Sequence, residues 1–376
     1  MIYLDYAASS PLSEQALHRL QETLALFGNP SSNHAYGRKL NREIDDARLA
    51  ILKAFALSPS TYRVIFVSSA TEGNNLALKG IAKQYRNRGT KILSSVLEHP
   101  SVTNPLMALK KDGFDVSFLP VDNEGKVSLK RLEESMDKQT ILVSLIGTNN
   151  EVGSVNDLPA IASIVAKYPK AYLHMDMTQA VGKTAFDYSL LDLFTCSAHK
   201  FGGPKGVGLL IAKKNIVFSP LLDGGEQEYG FRSSTLNYPG IMATKEALTE
   251  AMGKQKENEA KARSLWRFLY EELSKNPEIV VNSTSDSSPF IFNFSLLHKK
   301  ASVLVEALSE EGIYVSSVSA CNSKQEPVSN VLLAMGKSED LARNSIRLSF
   351  GEKTTLEEVK GFLLALSSNL ERLVNR

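Results

Sequence analysis

An alternation through the middle of the chain constrains its fold most: short β-rich runs separated by stretches of helical periodicity. Arg63-Val-Ile-Phe-Val-Ser68 reads as a buried strand, and residues 72–85 as the helix that follows it. Further strands are expected at 91–95, 115–119, 140–145, 171–175, 193–196 and 207–212, with helices between most of them, for example 101–111 opened by Pro100 and 157–166. Parallel strands need such crossovers, so the rhythm implies an α/β fold with a mostly parallel sheet covered on both faces.

Past Ala212 the character changes. A Gly-rich loop at 223–226 leads into a helical stretch over 239–274, interrupted at most by Gly253. Strands at 279–281 and 289–294, a helix at 301–311, strands at 313–317 and 345–349 and a helix at 356–374 then form a smaller α+β appendage. The N-terminal segment is expected to fold against it. The 376 residues therefore divide into a large domain, 12–248, and a small one made of 1–11 and 249–376.

Composition excludes several classes of function. The 43 Lys plus Arg against 41 Asp plus Glu leave a net charge of +2, and no long basic block argues for direct nucleic-acid binding. No apolar run approaches the roughly 18 residues of a membrane span, and the N-terminus carries no signal segment. Two cysteines exclude a disulfide framework, so a reduced, cytoplasmic setting is expected.

The segment richest in chemistry is Ser197-Ala-His-Lys-Phe-Gly-Gly-Pro-Lys-Gly-Val-Gly208, a lysine among small residues after a strand. Asp176 closes an apolar strand 24 residues before Lys200, and Gln179 follows it. Ligands of open α/β sheets bind outside the carboxyl ends of strands, where both groups emerge. A lysine and a carboxylate so placed suit pyridoxal 5'-phosphate (PLP): the amine forms a Schiff base, and the carboxylate keeps the pyridine nitrogen protonated. A buried Asp–Lys salt bridge is the bland alternative. Ser68-Ser-Ala-Thr-Glu-Gly73, a small-residue turn before a helix, offers free N–H groups to a phosphate, although Thr71 before Glu72 also reads as an ordinary N-cap.

Taken with Tyr3-Leu-Asp-Tyr-Ala-Ala8, Phe27-Gly-Asn-Pro-Ser-Ser32, Glu98-His99, Asn149-Asn-Glu-Val-Gly153, Gly224-Gly-Glu-Gln-Glu228, Ser319-Ala-Cys321 and Ser345-Ile-Arg347, these motifs run in order over nearly the whole chain. In that order the chain resembles the cysteine desulfurases, within the class-V aminotransferase-like, fold-type-I PLP enzymes. The resemblance implies that Lys200 carries PLP and later moves the substrate α-proton. It implies that Asp176 pairs with the ring nitrogen, Gln179 bonds the phenolic oxygen and His99 stacks on the ring. Ala70, Thr71, Ser197 and His199 would hold the phosphate, with Thr235 reaching it from the other subunit of a homodimer. Asn150 and Arg347 would receive the carboxylate of L-cysteine. Ser69 and Ser234 stand where the family usually has glycine and would crowd the phosphate end slightly.

Cys321 carries the distinguishing chemistry. It lies in a polar stretch, 316–327, whereas Cys196 sits inside an expected strand like most inert buried thiols. The Cys196–His199 spacing resembles half a metal site, but no second ligand pair accompanies it, and no metal is expected. The resemblance implies attack of the Cys321 thiolate on the substrate sulfur, release of L-alanine, and a persulfide passed to a sulfur-acceptor protein, an Fe–S scaffold or a tRNA-thiolation enzyme. The alternatives are a selenocysteine lyase or another class-V aminotransferase or lyase. A non-catalytic protein keeping this fold as a partner-binding surface would be expected to lose Lys200 or Asp176, and both are present.

Overall fold

The protein is described from a computed structural model over residues 1–317 and 328–373. Its strands are β1 (Ile2–Tyr3), β2 (Tyr62–Val67), β3 (Lys91–Ser95), β4 (Asp115–Leu119), β5 (Thr140–Ile146), β6 (Tyr172–Asp176), β7 (Leu193–Ser197), β8 (Gly208–Lys213), β9 (Ile279–Val281), β10 (Ile291–Leu296), β11 (Ile313–Tyr314), β12 (Ser316–Ser317) and β13 (Ser345–Ser349). Seven of them form one sheet in the order β2-β8-β7-β6-β5-β3-β4. All pairings among β7, β6, β5, β3 and β4 are parallel, whereas β8 runs against both β7 and β2. Two reversals leave β2 pointing the same way as β7, so its end reaches the same sheet edge.

Period-2 alternation sorts the side chains of this sheet onto two cores. Val64 and Phe66 of β2 join one apolar cluster with Leu40, Ile44, Ile161 and Ile241 from the helices on that face. Ile65 and Val67 face the other, with Leu76, Ile81, Val102 and Leu106. Both faces are thus covered, and all seven residues of β5 are buried. A separate core gathers Leu4, Trp266, Phe292, Phe294, Ile346, Leu348 and Phe362 around the four-stranded sheet β12-β13-β10-β9.

Several local expectations need correcting. The 239–274 stretch is two helices, Tyr238–Gly253 and Gln255–Leu273, which break at Lys254. The 313–317 strand is two short ones in different sheets: β11 pairs in parallel with β1, and β12 pairs with β13. Helices Glu14–Leu24, Ala35–Ala54 and Leu129–Ser135 are additions to the sequence reading. The N-terminal residues reach both sheets. Leu4 lies in the core of the four-stranded sheet, while Ser10 donates to the carbonyl of His199, just past β7, through its N–H and Oγ at 2.9 and 2.8 Å. Among the described residues no helix is long and apolar enough to cross a membrane.

Candidate active site

The carboxyl ends of β2, β3, β5, β6 and β7 share one edge, and the candidate residues collect there. Lys200 closes a short turn, Ala198–Lys200, directly after β7. Its Nζ donates to the carbonyls of Ala7 and Ala8 at 2.6 and 2.7 Å. Burial and then the Arg347 charge push its pKa down to about 8 against the pull of Asp5 and Asp176, which makes the amine easier to bring to its nucleophilic form.

Asp176, the last residue of β6, is buried at 4% exposure. Oδ1 accepts from the Thr178 N–H at 3.0 Å and Oδ2 from Asn74 Nδ2 at 2.8 Å. Among the described residues no lysine or arginine pairs with it, so a buried Asp176–Lys200 salt bridge is absent. A buried carboxylate supplied only with neutral donors fits a site for a cationic ligand atom such as a pyridinium nitrogen.

Gln179 joins Lys200 at the same carbonyl: its Nε2 donates to Ala7 O at 2.9 Å. Its Oε1 accepts from Lys183 Nζ at 3.1 Å, which fixes the orientation of the amide. Lys183 is buried and has no carboxylate partner among the described residues, and burial followed by the charges of Lys200 and Arg347 lowers its pKa to about 7. Sequence reasoning missed Lys183. Its i,i+4 spacing from Gln179 was the available signal.

His99 is the N-cap of helix Pro100–Lys111, its Nδ1 accepting from the Ser101 N–H at 3.1 Å. Burial lowers its pKa, Asp176 opposes this and Lys200 adds to it. The cap and a place in the site coexist. The neighbouring Glu98 ties the ends of β3 and β5, its Oε1 accepting from Ser95 Oγ at 2.5 Å and from the Ile146 N–H at 3.0 Å.

At the expected phosphate end, the Ala70 N–H donates to Ser197 Oγ at 2.9 Å. The N-cap of helix Ala70–Tyr85 is Ser69, not Thr71: Ser69 Oγ accepts from the Glu72 N–H at 3.3 Å. Ser69 therefore occupies a helix donor as well as space. Gly208 lets the backbones meet here, because a Cβ on it would stand 2.4 Å from the Ser69 carbonyl carbon. Thr71 is exposed at the helix start. His199 Nδ1 lies 3.3 Å from Ser9 Oγ, and burial with the nearby Lys200, Lys205 and Lys183 lowers its pKa to about 4. Thr235 is exposed and lines a groove with Ser68, Gly206 and Arg232 rather than the Lys200 cluster.

Arg347 projects from the middle of β13, where its Nη2 pairs with Asp5 Oδ1 at 2.7 Å and its Nη1 donates to the Asn150 carbonyl at 2.9 Å. Asn150 thus meets Arg347 through its backbone. Among the described residues the buried Nε of Arg347 has no hydrogen-bond partner. Cys196 is fully buried in β7, and burial followed by the Asp176 charge raises its thiol pKa, as an inert core cysteine requires. Cys321 lies outside the described residues.

A model of the class-V aminotransferases matches residues 2–362. The chain belongs to this family. Over 379 residues this class-V protein is 37% identical to a putative cysteine desulfurase IscS 1 of Bacillus subtilis (strain 168), with 99% of each chain covered. A cysteine desulfurase IscS of Dictyoglomus turgidum is 36% identical over 377 residues, with 99% of this chain and 95% of that one covered. A solved NifS-like protein superposes with a TM-score of 0.92 at 33% identity, over 99% of this chain and 100% of that one. A structure described as SspA in complex with cysteine reaches 0.81 at 30% identity, over 93% and 99%. Enzymes of this family are PLP-dependent, and the donor set of this class-V protein fits that cofactor: an amine of lowered proton affinity, a buried carboxylate without a cation among the described residues, and a helix N-terminus between small residues.

Proposed function

We propose that the protein is a PLP-dependent cysteine desulfurase that converts L-cysteine to L-alanine and holds the sulfur as a persulfide on Cys321 for a sulfur-acceptor protein. The observation that carries this reading is the presence, at one sheet edge, of the Lys200 amine and of an Asp176 carboxylate that no lysine or arginine among the described residues pairs with, in a chain matched over 99% of its length by proteins named as desulfurases. When bound, PLP supplies an electron sink for negative charge developing at the substrate α-carbon.

The residues divide the remaining work. With PLP bound, Asp176 would hold a proton on the ring nitrogen, Gln179 Nε2 would donate to the phenolic oxygen, and His99 would supply a ring to stack on the cofactor. Ala70, Thr71, Ser197 and His199 would hold the phosphate, and Thr235, exposed in a single chain, would reach the neighbouring site across a homodimer. Lys200 carries the α-proton away. Arg347 and Asn150 receive the substrate carboxylate, which takes over from Asp5 at the guanidinium. The Cys321 thiolate forms an S–S bond to the substrate sulfur as the Cβ–S bond breaks. The electron pair left on Cβ takes a proton, Lys200 returns a proton to the α-carbon, and alanine leaves.

Residues 12–248 make the cofactor domain in this reading, and 1–11 with 249–376 the small domain, a division supported by the core of Leu4 and residues 265–370 being separate from the two cores flanking the seven-stranded sheet. The acceptor is an Fe–S scaffold or a tRNA-thiolation enzyme, and the setting is cytoplasmic. The decisive experiment separates the two thiols. Cys321→Ala should keep PLP and bind cysteine yet release almost no alanine, and a cysteine pulse should add one sulfur to the wild-type peptide containing Cys321. Wild-type desulfuration by Cys321→Ala, or added mass on Cys196, would refute the reading. Light scattering should give twice the chain mass.

A further inference from the structure

Asn74 has no role in the reading above, yet its amide touches two residues that do. It is fully buried near the start of helix Ala70–Tyr85. Its Nδ2 donates to Asp176 Oδ2 at 2.8 Å and to Ser101 Oγ at 2.9 Å, and its Oδ1 accepts from the Thr195 hydroxyl. A carboxylate only accepts hydrogen bonds, so the nitrogen side of the amide must face Asp176. Both amide hydrogens are then committed.

The consequence passes through Ser101, which is also buried. Its hydroxyl oxygen accepts from Asn74, so its hydrogen must go elsewhere, and His99 Nδ1 stands 2.8 Å away. The Ser101 backbone N–H points at the same nitrogen from 3.1 Å. Two donors aimed at one ring nitrogen leave it no room for a proton, so the neutral ring carries its hydrogen on Nε2. The same logic continues on the far side of Asn74. Thr195 donates to the amide oxygen and must accept from His174 Nε2 at 3.4 Å, and His174 Nδ1 then accepts from Ser144 Oγ at 2.8 Å.

We infer that Asn74 is a positioning residue, one amide that orients the Asp176 carboxylate and, through the Ser101 hydroxyl, holds His99 as the Nε2–H tautomer. His99 therefore presents a hydrogen-bond donor at Nε2 rather than a lone pair. To take up a proton at Nδ1 it would have to displace both Ser101 donors. Aspartate at position 74 could not make both donations, and an apolar residue could make neither. The tautomer is a property of this chain alone, and only its bearing on the reaction rests on the desulfurase reading.

The test uses the full-length PLP-loaded protein with ¹⁵N-labelled histidine, the His99 signals being assigned by their loss in His99→Asn. Long-range ¹⁵N–¹H correlation should show His99 with a bare Nδ1 and a protonated Nε2. A protonated Nδ1 in the neutral ring overturns the inference. Ser101→Ala should move the His99 nitrogen shifts while PLP affinity stays within about twofold, because Asp176 keeps its Asn74 donor. Asn74→Ala should move those shifts and also weaken PLP binding about tenfold, the effect of one charge-assisted hydrogen bond. Unchanged His99 shifts in Ser101→Ala, or unchanged PLP affinity in Asn74→Ala, would each refute the coupling. If Asn74→Ala does not fold, the Ser101→Ala shifts decide. Alanine release by the wild type is assayed separately, so failure of the desulfurase reading stays distinguishable from failure of the tautomer assignment.

Discussion

In the seven-stranded sheet the polar groups of the site stand at or just past the carboxyl ends of strands, whereas in the four-stranded sheet Arg347 projects from the middle of β13. From the strand end at Asp176 a buried chain runs back between the apolar layers: Asp176, Asn74 of helix Ala70–Tyr85, and the mid-strand Thr195, His174 and Ser144 hydrogen-bond in series. The small sheet instead clasps a loop that follows β5. Arg347 donates to the Asn150 carbonyl, Asn293 Nδ2 to the Glu151 carbonyl at 3.1 Å, and Ser283 Oγ to the Val152 carbonyl at 2.7 Å. The difference teaches where each region can yield. A buried, fully satisfied network holds one geometry, because leaving any member unpaired is costly. An arginine held by one replaceable carboxylate, Asp5, can exchange that partner for a substrate.

Breaking the large-sheet side at its reactive amine should have the largest effect. Lys200→Ala should lose the visible absorbance of the bound cofactor and all turnover, and a retained band would remove Lys200 from the site. On the small-sheet side, Arg347→Ala should keep the cofactor band but raise KM for cysteine about 100-fold, as loss of a bidentate carboxylate contact implies. An unchanged KM would leave Arg347 a merely structural partner of Asp5.

The buried network should also reveal itself in acid. Burial lowers the His174 pKa from 6.5 to about 4, so between those values the unfolded chain binds the extra proton and the folded one does not. Stability from this group is complete above the upper value and is lost as pH falls through the window, on the order of 2 kcal/mol. Urea midpoints should therefore drop over that range, and His174→Gln should flatten the dependence; an equally steep fall in the variant would exclude His174 as the cause. Cys196→Ala, beside the same network, should cost on the order of 1 kcal/mol of stability and leave turnover near wild type. The smallest effect is expected at the exchangeable pair. Asp5→Asn should lower KM for cysteine about threefold by removing a competitor for Arg347, and a raised KM would make Asp5 an aid to binding.

Much of the fold was legible because its signals are local. β3, β4, β9 and β13 fall where the apolar runs put them, since a five-residue run such as Lys91–Ser95 bounded by turns allows little else. Helix Ala35–Ala54 escaped notice although Leu40, Ile44, Ala47 and Ile51 repeat at helical spacing, because its many charged residues mask that stripe. Asp176 and Lys200 were legible as candidates for the same local reason, each closing or following a recognisable strand.

By itself, then, the sequence determined most of the strand and helix periods and offered candidate residues for PLP chemistry, all of which depend on neighbours a few positions away. Only the tertiary structure decided that β8 reverses, that Arg347 meets Asp5, that Lys200 and Gln179 share the Ala7 carbonyl, and that Asn74 joins Asp176 to His99. Those contacts link residues 102 to 342 positions apart. Their partners are chosen by which strand ends and loops the packed sheets bring to one edge, and no periodicity along the chain records that choice.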